Sequence, residues 1–92
     1  MPVRTPFRDL PLPQQAGMMA CEEHFRTFVG NRIFRDNHGP VQEGAAAEYI
    51  RGWCGVRSRR DLATDPRAAE RFETLRTEYD AWRGRIPRPN RR

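Results

Sequence analysis

Arginine is the residue type whose spacing in this sequence points most directly to a chemistry. All 17 basic residues of the 92-residue chain are arginine. Residues 51–60, which we call the arginine window, contain four of them and no acidic residue: Arg51, Arg57, Arg59 and Arg60. A guanidinium group is always charged, and its fork of donors matches two oxygens of a phosphate. The window therefore predicts a surface that binds phosphate groups or an acidic partner.

A second cluster, which we call the arginine tail, occupies residues 83–92 and holds no acid: Arg83, Arg85, Arg88, Arg91 and Arg92. Residues 1–82 carry 12 arginines and 12 acids, so the net charge of +5 comes from the tail. Pro87 and Pro89 favour an extended conformation there. The tail has two interpretations: an arm that follows a nucleic-acid backbone with steep salt dependence, or a solubilising terminus.

The cysteine and histidine residues give a weaker signal. Cys21 and Cys54 fall in segments that are typical of apolar helix faces, which predicts buried free thiols. A zinc site that adds His24 and His38 is a minor alternative, because it has one close ligand pair where two are usual. A single disulfide is another alternative.

Nothing else in the sequence indicates catalysis. A glycine-rich phosphate loop, a nucleophile elbow and a paired-histidine metal motif are all missing from it. We therefore expect a protein that is not an enzyme and that needs no metal or cofactor. His24 is expected on the first helix, at the boundary between its buried and exposed faces, and His38 in an exposed turn where it could contact a partner.

The apolar runs are shorter than the roughly 18 residues that a membrane span needs, and the start of the chain does not look like a signal peptide. This pattern predicts a cytoplasmic protein that does not enter a membrane.

The spacing of apolar residues predicts helices and no strands. Four prolines make residues 1–13 an arm. A first helix is expected from Gln14 to either Gly30 or the turn-forming cluster at residues 36–40, and a loop over residues 35–42. The apolar stripe of that helix recurs every three or four residues: Met18, Cys21, Phe25, Phe28 and Val29.

A second helix is predicted from about Glu43 to Cys54, capped by Gly55, with a buried face made of Ala46, Tyr49, Ile50 and Trp53. Ser58 is expected to cap one short helical turn. Thr64 or Asp65 should then cap a last helix that begins near Pro66 and runs to about Arg83.

The last helix carries the clearest apolar stripe: Ala68, Phe72, Leu75, Tyr79 and Trp82. Packing inside the core is favoured over a seam against a second chain, since a small domain needs every apolar face. Tyr79 and Trp82 are still the candidates for a dimer or partner surface, so the protein is a monomer or a homodimer. The predicted fold is a small all-α three-helix bundle with an extra short turn. Residues 14–83 form the domain, and residues 84–92, which are the arginine tail without Arg83, follow it as an extended C-terminal segment.

Several segments resemble a group of small, uncharacterised phage and prophage proteins of GC-rich bacteria. The resemblance rests on residues 15–19, 25–28 and above all 54–66, followed by Ala69, Phe72, Leu75 and Trp82. It covers roughly residues 14–83. Because capping, turn and core residues carry it, the resemblance implies a shared fold and transfers no catalytic residue.

A phage setting would imply one of two binding roles in the bacterial host. The first is an anti-CRISPR protein, an inhibitor of host defence that blocks a CRISPR–Cas nucleoprotein complex through protein–protein contacts at its arginine-rich edge. The alternative is an accessory protein of a phage replication or recombination module that binds the DNA or RNA backbone directly. In both roles, the binding residues would be Arg51, Arg57, Arg59, Arg60, Arg83, Arg85 and Arg88.

Overall fold

The computed structural model describes residues 6–35 and 38–84, and in this part of the chain every regular element is helical. The four α-helices are α1 (Leu12–Cys21), α2 (Glu23–Phe34), α3 (Glu43–Cys54) and α4 (Pro66–Trp82). Two 3₁₀ turns, Phe7–Asp9 and Arg59–Ala63, precede α1 and α4. The predicted all-α class is confirmed, with one more helix than expected.

The additional helix arises because the first predicted helix is broken at Glu22. This residue has extended backbone angles (φ −75°, ψ 130°), so it ends α1 and precedes α2. Its N–H donates to the carbonyl of Met19, and its carbonyl accepts from the N–H of Arg26, both at 3.0 Å. The sequence has no proline or glycine at this point, so nothing local predicts the break.

The break changes which face of α1 is buried. The buried residues of α1 are Gln15, Ala16, Met19 and Ala20. The prediction that Met18 and Cys21 are buried is therefore wrong: Met18 is 45% exposed, and Cys21 is also exposed. In one straight helix Met18 would share a face with Phe25, but after the break α1 packs through the neighbouring stripe while α2 still buries Phe25.

Helix α3 has the predicted bounds, and Gly55 caps it in the left-handed conformation with φ 75°. Ala46 and Ile50 are buried as expected. Tyr49 and Trp53 are only half-buried, which corrects the predicted buried face. The indole Nε1 of Trp53 donates to the main-chain carbonyl of Arg71 across 3.0 Å, and this bond ties α3 to α4.

Helix α4 begins as its sequence predicts. The carboxylate of Asp65 accepts hydrogen bonds from the N–H groups of Arg67 at 3.0 Å and Ala68 at 3.3 Å. Pro66 occupies the first helical turn, where its missing N–H costs nothing. The buried part of the predicted stripe comprises Ala68, Phe72, Leu75 and Tyr79, which confirms its internal packing.

The four helices and the second 3₁₀ turn enclose one apolar core. Three aromatic rings lie at its centre, with the centroids of Phe25 and Phe28 at 5.0 Å and 5.4 Å from that of Tyr79. The buried apolar residues are Ala16, Met19, Ala20, Phe25, Phe28, Val29, Ala46, Ile50, Cys54, Leu62, Ala68, Phe72, Leu75 and Tyr79.

The described part of the N-terminal arm is held to this core. The Nε2 amide of Gln15, which is fully buried, donates to the carbonyls of Leu10 at 2.8 Å and Arg8 at 3.2 Å. Its Oε1 accepts a hydrogen bond from the buried Arg76 of α4. Phe7 also packs against the core. Helix α1 starts at Leu12, two residues before the predicted Gln14.

None of the helices in residues 6–35 and 38–84 combines the length and the apolar character that crossing a membrane requires.

Candidate functional site

The four arginines of the window line one shallow pocket in the structure. The pocket has a volume of about 540 Å³, and its lining consists of Pro13, Arg51, Arg57, Ser58, Arg59 and Arg60. Three parts of the fold contribute: the first turn of α1, the last turn of α3, and the segment that follows α3. We call this site the arginine pocket. The predicted clustering in sequence is thus also a clustering in space.

The end of α3 sets the position of Arg51 relative to the other three arginines. The N–H of Val56 donates to the carbonyl of Arg51 at 3.0 Å, and the N–H of Gly55 donates to the carbonyl of Gly52 at 3.3 Å. This pair of bonds is a Schellman motif, which requires a left-handed residue at Gly55 and reverses the chain direction. The reversal returns Arg57 toward the turn of α3 that carries Arg51.

The 3₁₀ turn Arg59–Ala63 holds the remaining arginines. The Oγ of Ser58 accepts from the N–H of Arg60 at 3.2 Å, which confirms the predicted cap. Leu62, within the turn, is buried in the core. Because the turn is capped at its start and anchored by an apolar residue, Arg59 and Arg60 project from a fixed backbone.

Arg51 and Arg59 also border the contact between α1 and α3. Both line a small gap of about 20 Å³ together with Ala16, Ala20, Ala47 and Ile50. Three of these side chains are alanines, which let the two helices approach, so the two arginines lie beside apolar surface as well as in the pocket.

The charges of the pocket have no acidic partner in the part of the chain that the structure describes. Within residues 6–35 and 38–84, no acidic side chain forms an ion pair with Arg51, Arg57, Arg59 or Arg60. Arg8, Arg32, Arg76 and Arg83, in contrast, pair with Asp80, Glu78, Glu73 and Glu22. Four uncompensated guanidinium groups in one concave surface create a positive potential that attracts anions.

Arg83 does not belong to the arginine pocket. It lies at the end of α4, where its Nη1 donates to the hydroxyl of Tyr79 at 3.3 Å. It lines a different cleft, of about 490 Å³, between the N-terminal arm, α1 and α4. The other predicted binding residues of the tail, Arg85 and Arg88, lie outside the described residues.

Of the two aromatic residues predicted to form a partner surface, Tyr79 is excluded by its burial and Trp82 is not. Tyr79 is 3% exposed and packs in the core, so it offers no surface for a second chain. Trp82 is 40% exposed, and its ring packs against that of Phe28 with centroids 5.5 Å apart. Of these two residues, Trp82 is the one with surface that a partner could contact.

The cysteines and histidines do not assemble into a site. In the described ranges, no group of three or more His, Cys, Asp or Glu side chains could hold a metal ion. Cys21 is exposed and Cys54 is buried, and both are free thiols. Burial raises the pKa of the Cys54 thiol to about 11, although the charge of Arg71 acts in the opposite direction. A buried thiol with a raised pKa is a poor nucleophile.

Sequence reasoning missed two contributors to the arginine pocket, Pro13 and Gly17. Pro13 forms part of its lining, and the guanidinium of Arg59 lies against Gly17. Both belong to α1, far from the arginine window in sequence. The one available signal was a glycine within a helical segment, where glycine weakens the helix and often marks a close contact.

Comparisons with known proteins add no relative: no protein-family model matches the chain, and no match is found among curated proteins or solved structures. The resemblance to small phage proteins therefore stays a prediction.

Proposed function

We propose that this protein is a non-enzymatic binding protein whose arginine pocket contacts the phosphates of a nucleic acid. The observation that carries the proposal is the convergence of Arg51, Arg57, Arg59 and Arg60 on one pocket. None of the four is paired with an acid in the described part of the chain. Phosphate is the ligand whose geometry and charge best match several guanidinium groups.

Electrostatic binding of this kind has a characteristic dependence on salt. Each neutralised phosphate releases bound counterions, so four contacts predict a slope of log affinity against log salt of about −3.6 for a duplex and about −2.8 for a single strand. Binding should show little preference for sequence, since contacts to phosphate carry no base information.

The test is the anisotropy of fluorescein-labelled single-stranded and duplex oligonucleotides at several salt concentrations. Replacing Arg57, Arg59 and Arg60 by alanine should leave the helical content unchanged and abolish most of the binding. The matched control replaces Arg35, Arg67 and Arg71, three exposed arginines outside the pocket lining, and removes the same charge. Equal losses in the two triple variants would show that only net charge matters, and would refute the site.

The contribution of the tail is measured separately. A variant with serine at positions 85, 88, 91 and 92 removes four of the five arginines of the tail and keeps Arg83 and the arginine pocket. If the pocket is the binding site, this variant still binds with the salt slope that four contacts predict, and it stays sensitive to the replacement of Arg57, Arg59 and Arg60. If it does not bind at all, the tail is the binding element and the proposal is wrong.

The resemblance to phage proteins suggests the setting in which this protein would encounter such a nucleic acid. We propose a host CRISPR–Cas nucleoprotein complex in the bacterial cytoplasm, which the protein inhibits through the arginine pocket; this partner is supported by the resemblance alone. Cleavage of a target by a purified, guide-loaded CRISPR nuclease tests it directly. Inhibition that is lost in the triple pocket variant supports the inhibitor role. Uninhibited cleavage by the systems tested, with oligonucleotide binding intact, favours an accessory role in phage replication or recombination.

A further inference from the structure

We infer that Gly17 is a positioning residue of the arginine pocket, because the bare backbone of α1 at this residue is the surface on which the guanidinium of Arg59 lies. The inference rests on the proposed function: it states how one of the binding arginines is held in place before the ligand arrives.

The guanidinium of Arg59 occupies the space that a side chain at position 17 would take. A Cβ atom at this position would lie 2.9 Å from Nη1 of Arg59, 3.0 Å from Cζ and 3.4 Å from Nη2. The three atoms are the charged end of the side chain, so the whole guanidinium lies over Gly17. Any other residue at position 17 would push the guanidinium of Arg59 away from α1.

Two further observations limit the conformations of Arg59, although it is an exposed residue. Its backbone belongs to the 3₁₀ turn in which Ser58 caps the N–H of Arg60. It also borders the small gap between α1 and α3, together with Ala16, Ala20 and Ala47. Because its backbone is held and its guanidinium lies against α1, a ligand that binds Arg59 loses less conformational entropy.

Glycine weakens the interior of a helix relative to alanine, so its presence at position 17 is unfavourable for α1 itself. The contact with Arg59 gives a physical reason for a glycine there. Two further helical glycines provide the comparison, because a Cβ at Gly44 or Gly52 of α3 would meet nothing within 4 Å.

The test compares Gly17→Ala with Gly44→Ala and Gly52→Ala, three changes that leave every arginine in place. Gly17→Ala and the two controls should fold as well as the wild type, with equal or higher Tm. Only Gly17→Ala should weaken oligonucleotide binding, by about threefold to tenfold, which corresponds to ordering one long side chain again. Binding of Gly17→Ala with the affinity of the wild type would overturn the inference.

A double variant separates positioning from a general effect on the fold. If Gly17 acts through Arg59, the affinity of Gly17→Ala combined with Arg59→Ala equals that of Arg59→Ala alone. A further loss in the double variant would show that Gly17 affects binding by another route, against the inference.

A third measurement keeps the inference distinguishable from the proposed function. If the wild type binds no oligonucleotide, the proposed function fails, yet the placement of Arg59 can still be measured by the rate at which phenylglyoxal modifies it, followed by peptide mass spectrometry. Gly17→Ala should speed modification of Arg59 and leave that of Arg35 unchanged. An unchanged rate at Arg59 contradicts the inference, whatever the oligonucleotide does.

Discussion

The hydroxyl of Tyr79 donates a hydrogen bond to Oε1 of Glu22 across 2.8 Å. Glu22 is the residue that interrupts the helix and separates α1 from α2. This bond therefore connects α4 to the junction of those two helices. The ring of Tyr79 meets that of Phe25 edge to face, with centroids 5.0 Å apart. One residue of α4 thus contacts Glu22 through its hydroxyl and α2 through its ring.

Tyr79→Phe should lower the free energy of unfolding by about 1–2 kcal/mol, because it keeps the ring in the core and removes two hydrogen bonds, the one to Glu22 and the one from Arg83. Urea denaturation followed by circular dichroism measures the change. Glu22→Gln is the matched control, since its amide oxygen can still accept from Tyr79, and it should cost less. If Tyr79→Phe is as stable as the wild type, the hydroxyl does not hold the break in place.

The stability of the fold should decrease in alkaline solution, beginning with Cys54. Burial raises the pKa of this thiol from 9.0 to about 11. In the unfolded chain the thiol loses its proton near pH 9, whereas the folded protein keeps it until about pH 11, so the folded state binds more protons between these values. Linkage then requires the free energy of unfolding to be unaffected by this thiol below pH 9 and to fall as pH rises from 9 to 11.

Chemical denaturation at a series of pH values from 7 to 11 tests this expectation. Cys54→Ala should be somewhat less stable than the wild type at pH 7, and its stability should fall less between pH 9 and 11. Tyr79 remains in the Cys54→Ala variant. Burial and then the bond to Glu22 raise the pKa of its hydroxyl above the ordinary value near 10. The free energy of unfolding of this variant should therefore still fall as the pH rises above about 10. Parallel pH profiles for both proteins would mean that Cys54 is not buried as the structure describes.

The parts of the fold that the sequence predicts are those that local chemistry determines. Asp65 and Ser58 cap the elements that follow them through bonds to N–H groups two or three residues away. Gly55 takes the left-handed conformation that ends α3. The four window arginines cluster for the same reason, since a short reversed segment carries them all.

The parts that the sequence does not predict depend on contacts between distant residues. The break at Glu22 has no local signal, and it accompanies the burial of Gln15, whose side chain bonds to the arm and to Arg76. The contributions of Pro13 and Gly17 to the arginine pocket likewise require that α1 packs beside α3 and the 3₁₀ turn. A sequence pattern reports the period of a helix, but which of two adjacent stripes is buried follows from the partners it meets.

Phe72→Ala and Trp53→Ala should differ in cost, although both replace a large aromatic residue. Phe72 is completely buried, so its truncation should lower the free energy of unfolding by about 3–5 kcal/mol. Trp53 is half-buried, and its removal should cost about 1–3 kcal/mol, including the hydrogen bond to the carbonyl of Arg71. Denaturation of both variants under the same conditions measures the difference. Equal losses would indicate that Trp53 contributes to the core as fully as Phe72.

Gly30 of α2 lies where the loop between α2 and α3 packs on this helix, so even a small substitution there should be disruptive. Gly30 is buried on α2, and a Cβ there would collide with the main-chain carbonyl oxygen of Gly39. The N–H of Val41 also donates to the carbonyl of Arg26 at 3.1 Å, so residues 38–41 lie directly on α2. A backbone oxygen cannot rotate away as the end of a side chain can, and relieving the collision requires the loop to move.

Gly30→Ala should therefore lower the free energy of unfolding by about 1–3 kcal/mol, the usual cost of inserting a methyl group into a packed interior, despite alanine's higher helix propensity. Gly52→Ala, where a Cβ meets nothing within 4 Å, should instead raise it by up to about 1 kcal/mol. Thermal and urea denaturation of the pair measure both signs. Because the two substitutions are chemically identical and both lie within helices, opposite signs would locate the difference in the contact with Gly39. A stabilising Gly30→Ala would mean that the loop does not rest on α2.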